Sequence, residues 1–321
     1  MPPNALIRRV LERYRRTSGN TVFNADRGAA IRELREALRT NRLTICLGAG
    51  VSVPNGIPTW ATLLSRLSAR ALSDTDKILF DKIVTTQPDL SPLILARFLK
   101  SSFKIESSFL YAIYDSLYSS VDRSNDNKTL DAICRISQFC ISHHHQLSII
   151  TYNYDDLCDV ALENAAPLSS DTVFDDHSFR ASTKSVKVIH PHGYLPYGTD
   201  PSQNLGRLIL SEDEYHSLYI DNSLWSNHIQ LGRLKYSTCL FVGFSMTDPS
   251  VSRIIDAATL TNDTQRHFCI LKASEGSRGL TKKHAAFFDA MTGLALKHLG
   301  VSAMFVDEYD DAAVFLDEII S

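Results

Sequence analysis

Residues Leu43–Trp60 read LTICLGAGVSVPNGIPTW. Leu43–Leu47 is a short apolar run, the pattern of a strand buried on both faces of a parallel sheet. It passes directly into Gly48-Ala49-Gly50, and a polar, turn-rich stretch closes on Gly56-Ile57-Pro58. A glycine loop after such a strand can bring backbone N–H groups up to a phosphate, because glycine lacks the Cβ that would block the approach and tolerates positive φ. The spacing G-x-G-x-x-G would need glycine at position 53, where the chain has Val53. Taken alone, the loop also suits a tight strand-to-helix turn with no ligand.

Outward from this stretch the chain keeps to one pattern on its C-terminal side. Apolar runs at Leu147–Thr151, Val186–His190, Thr238–Gly243, His267–Leu271 and Ser302–Val306 alternate with helical periodicity. The helices fall over Asp156–Ala165, Ser211–Tyr219, Leu224–Leu234, Pro249–Ala258, Leu280–Ala290, Leu294–Leu299 and Ala312–Ile320. Ser211 and Glu214 have capping-box spacing. With Leu43–Leu47 this makes six strands joined by helical crossovers. The fold expected is α/β: a Rossmann-like, doubly wound, mostly parallel six-stranded sheet.

Residues 61–145 lack strand signal. After a helix at Trp60–Leu72, apolar residues at three- and four-residue spacing predict helices near Thr75–Val84, Pro92–Lys100, Glu106–Leu117 and Lys128–Ile141. The domain organisation expected is N-terminal helices at 1–40, a Rossmann-like domain at 41–60 and 146–321, and a helical insert domain at 61–145. Within 1–40, a second helix is expected over Gly28–Arg39. Residues 5–17 place Leu6, Ile7, Val10, Leu11 and Tyr14 on one helical face among arginines. That suits an amphipathic helix docked on the body or on a sister chain better than a mitochondrial presequence. Ser119–Asn127 reads as an exposed loop. His143-His144-His145 reads as a solvated loop, since three adjacent imidazoles cannot all face one metal.

Composition narrows the function classes. The 321 residues are 44% hydrophobic and 21% charged, which is ordinary for a globular chain. A net charge of −3 offers no bulk electrostatic grip on nucleic acid. No apolar stretch approaches the ~20 residues of a membrane span. The six cysteines are scattered without C-x-x-C spacing, so neither a disulfide framework nor a four-cysteine zinc site is expected. The compartment expected is the cytoplasm.

Ligands of doubly wound sheets sit at the carboxyl ends of the strands. There the chain carries Thr151-Tyr152-Asn153-Tyr154-Asp155, then His190-Pro191-His192-Gly193, then Gly243-Phe244-Ser245-Met246-Thr247-Asp248-Pro249. Each cluster has a local explanation. Asn153 and Asp155 suit an Asx-turn and a helix N-cap, His192-Gly193 suits a turn, and Asp248-Pro249 suits a cap followed by proline at the first helical position. All of them on one rim with the glycine loop point to a site.

In their order, GAG-x-S…GIP, then T-x-N-x-D, H-G and G-x-S resemble the core of the sirtuin-like superfamily, from about residue 40 to 310. The resemblance implies NAD bound on a Rossmann-type domain. It implies that Asn153 positions a water or a ribose hydroxyl, and that His192 acts as a base toward the ribose. It further implies that Asp155 and the turn Gly56, Ile57, Pro58 hold the nicotinamide amide, while Gly48, Ala49, Gly50, Ser52, Gly243 and Ser245 line the diphosphate and ribose. His190 shares a strand face with His192, but His192 precedes Gly193 and matches the motif better.

Departures from that pattern indicate the branch. The two cysteine pairs of the zinc ribbon in protein-deacylating sirtuins are missing, and Thr59-Trp60-Ala61-Thr62 replaces their loop continuation. The chain thereby resembles the sirtuin-like branch of bacterial antiphage systems, which implies an NAD glycohydrolase with NAD as substrate and no metal. The alternatives are an NAD-dependent protein deacylase and a non-catalytic NAD or ADP-ribose sensor or scaffold. The partners expected are a homo-oligomer and either a second regulatory protein, ATPase or nuclease-like, or a phage-derived trigger, with no nucleic acid or membrane contact.

Overall fold

The computed structural model describes residues 21–86, 91–202, 206–221, 224–246, 248–259, 267–274 and 281–321. The amphipathic stretch 5–17 lies outside them. The strands are β1 (Leu43–Leu47), β2 (Leu147–Thr151), β3 (Ser170–Val173), β4 (Val186–Ile189), β5 (Thr238–Val242), β6 (His267–Lys272) and β7 (Val301–Val306). They form one seven-stranded sheet in the order β3-β4-β2-β1-β5-β6-β7. The pairs β3–β4, β5–β6 and β6–β7 are parallel, with Ser170 opposite Val186 and His267 opposite Val301.

Every residue of β1 and β2 is buried, which is why both read as unbroken apolar runs. The expected sheet of six strands is corrected to seven by β3. Its sequence is SDTV, it lies at the sheet edge, and only Val173 is fully buried. A strand exposed along one side carries too few apolar residues to announce itself.

The helices are α1 (Thr21–Arg39), α2 (Trp60–Ala71), α3 (Asp74–Thr86), α4 (Pro92–Ser101), α5 (Glu106–Tyr118), α6 (Lys128–Ser142), α7 (Leu157–Ala165), α8 (Asp176–Ala181), α9 (Glu212–Ile220), α10 (Trp225–Tyr236), α11 (Pro249–Thr259), α12 (Lys282–His298) and α13 (Asp311–Ile320). Two expected segments, Leu280–Ala290 and Leu294–Leu299, form one helix, α12, because Gly293 does not break it. The capping box at α9 is present, with Ser211 N–H donating to Glu214 Oε2 at 2.7 Å.

The chain divides into two compact units. One comprises residues 1–46, 128–147 and 231–321, the other 47–127 and 148–230. The helical stretch 61–145 is therefore shared, with α2–α5 in the second unit and α6 in the first. In the first unit α13 is clamped from two sides. Arg27 of α1 pairs with Glu318 at 2.7 Å, and Arg135 of α6 pairs with Asp317 at 2.8 Å. Leu34, Leu38, Phe315 and Leu316 are buried beneath these ion pairs. Each such side chain contributes roughly 1.5–3 kcal/mol, well above a half-exposed ion pair.

Candidate functional site

The second unit carries most of the residues singled out above. β1 ends at Leu47, and the chain then makes two short 3-10 turns, Ala49–Val51 and Val53–Asn55. Gly48 is extended, at φ −113°, so its freedom to adopt positive φ is unused. Gly56 is the glycine of the loop that does use it, at φ +83°. A Cβ on Gly56 would also lie 2.0 Å from the backbone oxygen of Ser120. Ile57 and Pro58 follow as buried residues.

The segment 119–127, expected as an exposed loop, also latches onto these turns. Asn127 Nδ2 donates to Val51 O and to Asn55 Oδ1, both at 2.7 Å. Asn55 Nδ2 donates to Asp122 O and Asn125 O at 3.2 and 3.0 Å. Asn125 Nδ2 reaches Pro54 O at 3.1 Å. Although much of the segment is exposed, Asn55 and Asn127 are buried. Buried amides are costly unless paired, so reciprocal pairing fixes the geometry of the latch. Arg123 extends it to the next motif, holding Asp156 at 3.0 and 3.3 Å while lying over the Tyr197 ring.

β2 delivers Asn153 to the glycine loop. Asn153 Nδ2 donates to Gly48 O at 3.1 Å and to Ser52 Oγ at 3.0 Å. Gly48 O can only accept, so the atom facing it is nitrogen. Both amide hydrogens are thus spent on the loop, and Oδ1 is the atom Asn153 offers to a ligand or water. Ser52 Oγ donates onward to Asp155 Oδ1 at 3.1 Å, which also accepts Leu157 N–H at 3.1 Å. One oxygen of Asp155 therefore does serve the start of α7, as a capping residue would. The other, Oδ2, is buried and has no hydrogen-bond partner among the described residues. Burial pushes the Asp155 carboxyl up to about 6, and the Leu157 and Ser52 bonds and the nearby His190 only partly offset this.

β4 ends at two histidines with different fates. His190 is fully enclosed, its Nδ1 at 3.2 Å from Asn153 O and its Nε2 at 3.1 Å from Asp159 Oδ2. Both ring nitrogens are committed, so His190 has none left for a substrate. His192 lies between two tyrosine rings, edge to face, at 4.9 Å from Tyr152 and 5.6 Å from Tyr215. Gly193 has φ +103°, and a Cβ there would lie 2.7 Å from Arg207 O. That close approach lets the following strand-like segment reach His192, where Ile209 N–H donates to His192 O at 2.9 Å.

Tyr152, Asn55, Asn127 and Arg123 are site-building residues that the sequence reading missed. Tyr152 stood inside the quoted motif. The run Asn125-Asp126-Asn127 was a signal for turn-forming amides, but not for what they hold.

Gly243 and Ser245 belong to the first unit, after β5. Gly243 takes φ +63°, and Ser245 is exposed. Asp248 Oδ1 accepts Ser250 N–H at 2.8 Å, so Asp248 and Pro249 start α11 as their local reading expected. His143 and His144 are exposed in a turn after α6. The six cysteines are free and buried. Among the described residues, no group of three or more His, Cys, Asp or Glu could hold a metal ion, and no helix is long and apolar enough to cross a membrane.

Residues 147–293 match the SIR2-like domain, which takes in Asn153, Asp155, His192, Gly243 and Ser245. The chain is 24% identical over 313 residues to the NAD(+) hydrolase ThsA of Acinetobacter baumannii (strain 532279), covering 93% of this chain and 57% of that protein. It is 23% identical over 312 residues to the NAD(+) hydrolase ThsA of Cytobacillus dafuensis, covering 92% and 56%. With that of Bacillus cereus (strain MSX-D12) it shares 25% identity over 251 residues, covering 76% and 46%. The chain spans about half the length of these relatives. A crystal structure of Sir2 with an inhibitor, 2'-O-acetyl-ADP-ribose and a deacetylated p53 peptide aligns with 84% of this chain and 99% of that one, at 13% identity and a TM-score of 0.33. Residues 147–293 are thus similar to the SIR2-like domain, and the chain is similar along most of its length to proteins named NAD(+) hydrolase.

Proposed function

We propose that this chain is an NAD glycohydrolase, cleaving NAD to nicotinamide and ADP-ribose, and that it serves as an effector in bacterial antiphage defence. The observation that carries the reading is a pair of waiting acceptors beside the glycine loop. Asn153 has spent both amide hydrogens and offers Oδ1, and Asp155 holds a buried carboxylate oxygen with no partner among the described residues. A buried polar atom left unpaired is expensive in a folded protein, and a donor on a bound ligand would relieve that cost. The relatives named NAD(+) hydrolase support the same substrate.

In this reading Asp155 Oδ2 accepts a hydrogen bond from the nicotinamide carboxamide, with the Gly56, Ile57, Pro58 turn beside it. Gly48, Ala49, Gly50 and Ser52 line the diphosphate and ribose. Asn153 Oδ1 accepts from a water and aims its oxygen at the anomeric carbon. As the new C–O bond forms, the glycosidic C–N bond breaks and its electron pair leaves with neutral nicotinamide, so the departing ring needs no proton. His192 takes the proton from the water or from a ribose hydroxyl. Residues 41–60 and 146–321 are the proposed NAD-binding domain, with 61–145 as the helical insert. A toxic activity must be controlled, and the proposed means are homo-oligomerisation together with a second regulatory protein or a phage-derived trigger that switches it on; the proposed setting is the cytoplasm.

Incubation of purified protein with NAD, with and without an acetylated peptide, tests the reading. Nicotinamide released without peptide is the expected result. Release only with peptide would identify a deacylase, and tight binding with no release under any oligomeric state would identify a sensor.

Asp155 adds a test with a sign. Its carboxyl titrates at about 6 instead of 3.8, a gap corresponding to about 3 kcal/mol. Because the folded value is raised, the contribution to stability is full below 3.8 and lost as pH rises through about 6. The charge that binds substrate therefore strains the fold at pH 7. Asp155→Asn should lower nicotinamide release about tenfold or more, the cost of a lost charged hydrogen bond. Relative to wild type, its melting temperature should be higher at pH 7.5 than at pH 5. A difference in melting temperature that does not change with pH would contradict the assignment.

A further inference from the structure

His190 is a buried titratable group that the proposed chemistry leaves unused. Its surroundings are fully polar-matched. Nδ1 faces the carbonyl oxygen of Asn153 at 3.2 Å, and Nε2 faces Asp159 Oδ2 at 3.1 Å. Asp159 Oδ1 is fixed in turn by Thr172 Oγ1 at 2.6 Å, from the edge strand β3. The Tyr194 ring packs on the imidazole at 4.4 Å between centroids, and Phe174 stacks on Tyr194 at 5.6 Å. A carbonyl oxygen only accepts, so Nδ1 is the donor of the bond to Asn153 O. The result is a chain of hydrogen bonds running Thr172, Asp159, His190, Asn153, with His190 fully enclosed at its centre.

That chain ends on the backbone of the residue whose side chain must be aimed. Asn153 N–H is tied to Thr151 Oγ1 at 3.2 Å, and its neighbours are tied through Tyr152 N to Leu47 O and Leu195 N to Tyr154 O. The carbonyl of Asn153 is held by His190. With its N–H held by Thr151 and its C=O by His190, both backbone dihedrals of Asn153 are pinned, and so is the direction of the Cα–Cβ bond that carries the amide to Gly48 O and Ser52 Oγ. We propose that His190, braced by Asp159 and Thr172, is a positioning residue that fixes the orientation of Asn153. The proposal rests on the reading of Asn153 given above.

Two isosteres separate the two bonds of the ring. Asparagine places its Nδ2 near the position of His Nδ1, and glutamine places its Nε2 near the position of His Nε2. His190→Asn therefore keeps the bond to Asn153 O and takes the His190 partner from Asp159 Oδ2, leaving only Thr172 on Oδ1. His190→Gln keeps the bond to Asp159 and releases Asn153. Expected for His190→Gln is a kcat for NAD cleavage lowered about tenfold or more, as reacting groups drift from alignment, with KM within about threefold. Expected for His190→Asn is a kcat within about threefold of wild type and the lower melting temperature of the two, since it takes a partner from a buried carboxylate. Activity and stability then rank in opposite order, which a merely structural histidine would not produce. The side-chain amide resonance of Asn153, identified by its loss in Asn153→Ala, should shift in His190→Gln and stay in place in His190→Asn. Activity that tracks melting temperature across the pair, or a wild-type kcat in His190→Gln, overturns the proposal. If wild-type protein releases no nicotinamide, the reading of the site fails instead, and the amide resonance alone decides whether His190 positions Asn153.

Discussion

His192→Ala is expected to leave a folded protein that binds NAD within about tenfold of wild type, about 1.4 kcal/mol, and cleaves it about 10²–10⁴-fold more slowly. The expectation follows from how the ring is held. His192 sits between Tyr152 and Tyr215, and its backbone carbonyl is bonded to Ile209 independently of the side chain. Truncation removes the imidazole without unlatching the loop that carries it. Tyr152 remains anchored through its hydroxyl to Gln230 Oε1 at 2.8 Å. Asn153→Ala should show a similar loss of rate but a larger loss of binding, since it also removes the two bonds to Gly48 O and Ser52 Oγ that shape the glycine loop. The measurements are initial rates of nicotinamide release and calorimetric titration with NAD. Wild-type turnover in His192→Ala would remove it from the catalytic role.

Gly56→Ala should be severely damaging for the addition of a single methyl group. The residue takes φ +83°, where a side chain is strained, and its Cβ would stand 2.0 Å from Ser120 O. Neither partner can yield cheaply, because the oxygen is backbone and belongs to the segment that Asn55, Asn125 and Asn127 hold against the loop. Relief requires the latch to open. The expected cost is about 3 kcal/mol or more, a fall of roughly 6–12 °C in melting temperature, together with loss of measurable NAD binding. Gly232→Ala is the control. It lies within α10, its Cβ would meet nothing within 4 Å, and alanine is the better helix former by ~1 kcal/mol, so it should be neutral or stabilising. Equal melting temperatures for the two variants would show that the latch does not govern the loop.

The sequence by itself determined the framework. β1 and β2 were legible at their observed bounds because strands buried on both faces must be apolar throughout, a requirement written in consecutive residues. The places of Asn153, Asp155 and His192 at strand ends followed from the same pattern, as did the capping box at Ser211 and Glu214. Only the tertiary structure decided what depends on partners distant in the chain. The edge strand β3 has little apolar signal and exists through its pairing with β4. Asn127 and Asn55 are 72 residues apart, and no local rule says that two amides so separated will satisfy each other. The same holds for His190 and His192. Two histidines on one strand face are equivalent by periodicity, and they part company because one is enclosed by Asp159 and the carbonyl of Asn153 while the other stands between two tyrosine rings. Patterns of burial are local and are encoded residue by residue. Hydrogen-bond partners and the fate of a buried charge are settled only when distant segments meet.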